Sequence, residues 1–165
     1  MMMKQLVFLL LLIGVMASCS SKSENTSNEA GSGIAPENMM ILESYMELKD
    51  NLVNDQFSEA QANVENLQAA VLANTPEGSE TILALLEEMS VAESITGLRS
   101  TFDPLSEEMY QWAKGIEKGN TTIYWQYCPM AKDNQGANWL SLESEIMNPY
   151  FGDQMLHCGN IEEEL

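Results

Sequence analysis

Two short sulfur-bearing clusters carry most of the chemistry this sequence offers: Cys128-Pro129-Met130 and Met155-Leu156-His157-Cys158. Thiolate and thioether ligands select soft ions, so four such sulfurs point to Cu(I), or to Ag(I) as its analogue. A thioether has no proton to lose and binds over a wide pH range, whereas a cysteine must ionise first. Pro129 restricts the backbone between Cys128 and Met130, and two-residue spacing directs both sulfurs to one side of an extended segment. Met155 and Cys158 are three apart and share a face on a helical turn. Zn(II) is disfavoured, because zinc sites use cysteine, histidine and carboxylate rather than methionine. His157, the only histidine, could add a nitrogen ligand.

The same cysteines admit a second reading. A Cys128–Cys158 disulfide would close a loop of about thirty residues and stabilise the fold by roughly 3–4 kcal/mol. Met130 and Met155 would then be core neighbours. Both readings stand at this level. Catalysis is not expected: a Cys128–His157 pair could be drawn as nucleophile and base, but no Gly-rich oxyanion loop or clear orienting carboxylate accompanies it. Tyr124, Trp125, Tyr127, Trp139, Tyr150 and Phe151 crowd the same stretch and are expected to form a small core beneath its turns. Trp125 or Trp139 could also stack on a bound Cu(I).

The elements that must position these residues are mostly helical. Ile41, Tyr45, Leu48 and Leu52 share one helix face, as do Ala60, Val64, Leu67 and Val71. Ser58 and Gln61 have the spacing of a capping box at the start of the second helix. Ile82, Leu85, Leu86 and Met89 mark a third. Ile95, Leu98, Phe102, Leu105, Met109, Trp112 and Ile116 alternate steps of three and four, the pattern of a bundle seam. Pro104 falls inside that seam and is expected to kink or divide the helix. Met39, Met40, Met46, Met89 and Met109, at helical spacing, read as core filler rather than ligands. Thr121–Tyr127 reads as a strand and Trp139–Ser141 as a second, with turns at Asp133–Gly136 and Asn148–Asp153. Glu162–Glu164 reads as a solvated, frayed tail. The expected fold is mainly α: an antiparallel four-helix bundle with a small aromatic-rich, partly β C-terminal segment over 121–160.

The amino terminus reads as an export signal over residues 1–18. Lys4 supplies the positive end, Leu6–Val15 is an apolar run too short to span a bilayer comfortably, and Ala17-Ser18 precede Cys19. This has the form of a lipobox with Met16 at the usual leucine position, so Cys19 is expected to be lipidated and to anchor the protein in the bacterial cell envelope. Residues 19–37, rich in Ser, Asn, Glu and Gly, read as a disordered tether, leaving 38–165 as the folded domain. The formal net charge is −18. So acidic a chain disfavours nucleic acid and anionic lipid headgroups as partners. One cysteine assigned to lipid leaves an even pair, as suits an oxidising compartment.

The C-terminal motifs carry a family resemblance. Tyr127-Cys128-Pro129-Met130-Ala131, Gly136-Ala137-Asn138-Trp139-Leu140-Ser141, Glu145-Ile146, Asn148-Pro149-Tyr150-Phe151-Gly152-Asp153 and Met155-Leu156-His157-Cys158-Gly159 resemble, in order, a domain of unknown function found in Bacteroidota lipoproteins. Similar domains are fused to the periplasmic adaptor subunits of Cus-type copper and silver efflux pumps. The resemblance spans roughly residues 40–160. It places Cys128, Met130, Met155 and Cys158 on the family's sulfur positions and implies metal handling, with an efflux adaptor or pump as partner. Where family members often carry a basic residue before the second cysteine, this chain has His157.

Overall fold

The computed structural model describes residues 33–165. The expected export signal, Cys19 and the expected tether up to residue 32 lie outside the described residues. Four helices come first: α1 (Pro36–Val53), α2 (Phe57–Asn74), α3 (Ser79–Ser90) and α4 (Ile95–Gly115). Pro36 opens α1 at a position where a missing N–H costs nothing. Ile41, Tyr45, Leu48 and Leu52 are all fully buried, as are Ala60, Val64, Leu67 and Val71 of α2. Leu98, Phe102, Leu105 and Met109 form the buried seam of α4. The protein is thus mainly helical, with a small antiparallel sheet and an aromatic cluster at its C-terminal end. Among the described residues no helix is long and apolar enough to cross a membrane.

Several local expectations give way to tertiary packing. The capping box at Ser58 does not form: α2 begins at Phe57, after Gln56, with no side-chain cap. Gln61 is drawn elsewhere, its Nε2 donating to the carbonyls of Ser90 (3.3 Å) and Ala92 (3.1 Å) at the α3–α4 link. Pro104 does not divide α4, which runs unbroken past it. The ring sits on the exposed side of the helix, while Thr101, Phe102, Leu105 and Ser106 around it remain buried and keep the helix on its seam. Of the methionines read as filler, Met46, Met89 and Met109 are buried, but Met40 is 54% exposed.

Beyond α4 the chain forms β1 (Tyr124–Cys128), β2 (Ala137–Ser141) and β3 (Asn160–Glu164), ordered β2-β1-β3 and all antiparallel. The acidic tail is therefore a strand rather than frayed chain. Its backbone pairs with β1, Leu165 N–H donates to the Ile123 carbonyl at 2.9 Å, and Tyr110 Oη donates to the Glu163 carboxylate. Backbone pairing outweighs the poor strand propensity of glutamate, whose side chains stay in water.

Tyr45 joins the helices to this sheet. Its ring stacks on Phe102 with centroids 5.3 Å apart. Its hydroxyl lies 2.7 Å from Ser106 Oγ and accepts from Leu140 N–H at 3.2 Å. Phe102 in turn meets Tyr150 (5.9 Å), and Tyr150 meets Trp139 edge-on (6.0 Å). This aromatic run leads from the helical core into the segment that carries the sulfurs.

Candidate metal centre

Cys128 closes β1 and is fully buried, held by pairing with Ala137 of β2. Cys158 comes from the irregular stretch before β3 and is half-buried. Both are free thiols, and their sulfurs lie 3.0 Å apart, inside ordinary van der Waals contact. The structure thus brings together two residues that are 30 positions apart in sequence. The Cys158 thiol is held above its ordinary pKa, first by its hydrogen bond to Cys128 and then by burial; the Met130 backbone N–H acts in the opposite direction.

The two methionines converge differently. Met130 follows β1 directly and is 45% exposed, while Met155 is half-buried at the end of a short 3-10 turn, Gly152–Gln154. Both line one open groove of about 690 Å³, together with Arg99, Lys132, Tyr150 and Phe151. Met155 and Cys158 are joined by a turn in which Cys158 N–H donates to the Met155 carbonyl at 3.0 Å. His157 is exposed, and its Nδ1 lies 2.9 Å from the Ile146 carbonyl. That contact makes Nδ1 the protonated nitrogen in neutral histidine and leaves Nε2 as the acceptor. Among the described residues no three His, Cys, Asp or Glu side chains converge to hold a metal ion.

One wall of the groove is unusual backbone. Lys132, Asp133 and Asn134 all have positive φ (53°, 57° and 66°), a conformation costing a non-glycine residue about 1–2 kcal/mol. The turn is closed by Gly136 N–H donating to the Ala131 carbonyl at 3.0 Å and tied to α4 by the Lys132–Asp103 ion pair. The opposite wall is tied to the helices through Arg99. Its Nε donates to the Pro149 carbonyl and its terminal nitrogen to the Leu52 carbonyl and Asp55, each at 2.7 Å. Asp55 also faces Gly152, whose φ of +55° and lack of a side chain let the carboxylate approach. Gly159 beside Cys158 serves a similar purpose, since a Cβ there would lie 2.7 Å from the Tyr127 carbonyl.

The aromatics sit mainly as packing. Trp139 is fully buried, and Trp125 is covered by Tyr110 with ring centroids 4.4 Å apart. Sequence reasoning passed over Asn148, Arg99 and Asp55 as site residues. Asn148-Pro149 was visible as a turn, but nothing local marked its side chain as a tie to Cys158.

With this geometry established, comparison adds one match. A family model described as a protein of unknown function, DUF3347, covers residues 41–121. The DUF3347 match takes in most of α1 and all of α2, α3 and α4, and stops just before β1. The sulfur-bearing segment, whose motifs carry most of the sequence resemblance, therefore follows the matched region. Neither a curated protein nor a solved structure matches the chain.

Proposed function

We propose that this is an envelope lipoprotein, anchored through Cys19, whose Cys128–Cys158 pair binds a soft monovalent ion, Cu(I) or Ag(I), assisted by Met130 and Met155. In that role it serves as a metal chaperone, buffer or efflux accessory, with an efflux adaptor or pump as its partner. The observation that carries this reading is the meeting of two free thiols beside a groove lined by both methionines. Thiolate and thioether sulfurs favour a soft ion over zinc.

The fit requires a small opening. Two thiolate bonds of about 2.3 Å at a tetrahedral angle span roughly 3.8 Å, so the sulfurs must part by about 0.8 Å from their 3.0 Å separation. Cys128 is fixed in the sheet, whereas Cys158 lies in irregular chain between a turn and β3, so the movement falls to Cys158.

That same short separation favours a second reading, a structural disulfide. Closing the 30-residue separation would stabilise the fold by roughly 3–4 kcal/mol. Titrating the reduced full chain with Ag(I) and Cu(I), beside thiol counting on protein from its native compartment, separates the two. Metal binding predicts one tightly held ion, weakened in Met130→Leu and Met155→Leu with the fold intact, since leucine and methionine have similar volumes. If both variants bind as the wild type does and the native protein has no free thiols, the cysteines are a staple and the metal reading fails.

A further inference from the structure

Asn148 is fully buried in the bend after β2, and both ends of its side chain are engaged. Its Oδ1 accepts from the backbone N–H of Tyr150 (2.8 Å) and Phe151 (3.3 Å), forming the turn over Pro149. Its Nδ2 donates to the Cys158 carbonyl at 2.8 Å. Its own backbone N–H donates to the Leu156 carbonyl at 2.8 Å, and its carbonyl accepts from Gly152 N–H at 3.1 Å. One residue thus seats the segment carrying Cys158 by backbone and side chain together. Cys128 is held independently, by strand pairing.

We infer that Asn148 is the positioning residue that sets Cys158 beside Cys128, and so controls how readily the two sulfurs act as a unit. This rests on the sulfur pair being the working site, as proposed above. Asparagine suits the position chemically: one planar group on a one-carbon arm presents an acceptor to the turn and a donor to the Cys158 carbonyl. Aspartate would keep the acceptor but turn a second oxygen toward that carbonyl. Serine could still accept from the turn, but is too short to reach Cys158.

The measurement is the equilibrium of the full chain with oxidised and reduced glutathione. The Cys158 thiolate attacks one sulfur of oxidised glutathione and expels one glutathione thiolate. The Cys128 thiolate then attacks the Cys158 sulfur of the mixed disulfide, forming the Cys128–Cys158 bond and expelling the second. The two protons lost by the protein end on the two released glutathiones. Alkylation and mass mapping of Cys128 and Cys158 report the extent of closure, and Ag(I) competition is followed in parallel.

Asn148→Asp and Asn148→Ser should lower the closure constant about tenfold, as expected for a lost buried hydrogen bond. This raises the pair's potential by about 30 mV. Leu86→Ala, which loosens the packing of α3 against α2 and α4, away from the sulfurs, should leave the constant at its wild-type value. Should one Asn148 variant fail to fold, the other decides. Unchanged closure in a folded Asn148 variant, or an equal loss in Leu86→Ala, overturns the positioning role. A wild type that closes and binds Ag(I) beside unmoved Asn148 variants refutes this inference alone; a wild type that binds no Ag(I) refutes the proposed function, whatever the Asn148 variants do.

Discussion

Replacing Tyr45 with phenylalanine tests the joint between the helices and the sheet, because it removes one oxygen and leaves the ring in place. That oxygen accepts from Leu140 N–H and hydrogen-bonds Ser106, and the residues on both sides are fully buried. The Leu140 N–H would be left without its acceptor, at a cost of about 1–3 kcal/mol. The Ser106 hydroxyl can turn to a carbonyl one helical turn back, so its loss is smaller. The ring still stacks on Phe102, and no cavity of consequence opens. The sum is about 2–3 kcal/mol, which for a domain of this size lowers Tm by roughly 6–10 °C. Thermal unfolding followed by far-UV circular dichroism near neutral pH measures it. Adding Ser106→Ala to Tyr45→Phe should change little further, because the Ser106 hydroxyl has already found a backbone acceptor and the unpartnered Leu140 N–H remains. A single variant within about 0.5 kcal/mol of wild type would show that the bridge contributes nothing and that stacking alone joins the two parts.

Alkaline stability should fall steeply. Burial holds the Tyr45 and Tyr150 phenols well above their ordinary pKa, so above about pH 10 the unfolded chain releases protons that the folded chain retains. Each should cost about 1.4 kcal/mol per pH unit beyond that point, and denaturant midpoints that stay flat through this range would contradict the burial of both hydroxyls. Gly152→Ala should destabilise by at least about 1–2 kcal/mol, from its φ of +55° and the collision of a Cβ with the Asp55 carboxylate; urea melts with an unchanged midpoint would rule out that tight approach. Cys19→Ala should move the protein from the membrane to the soluble fraction, and a variant that still sediments with membranes as wild type would remove the lipid anchor.

What the sequence determined on its own was everything expressed as local repetition. The faces Ile41-Tyr45-Leu48-Leu52 and Leu98-Phe102-Leu105-Met109 are legible because one buried stripe imposes helical spacing on consecutive turns. β1 and β2 were legible, to within a few residues, from their aromatic and apolar runs. The four sulfurs stood out by residue type. What tertiary structure decided was everything requiring a distant partner. Gln61 left its cap for carbonyls about thirty residues away. Glu162–Glu164 became a strand because β1 had an open edge for them to pair with. Pro104 stayed in a helix because the residues around it were already committed to the core. Above all, Cys128 and Cys158 meet because Asn148 and Arg99 fold the intervening chain back against the sheet and helices. Periodicity is written into each neighbourhood by the face it buries. A meeting of sulfurs depends on the direction of several turns in succession, and no one neighbourhood encodes that.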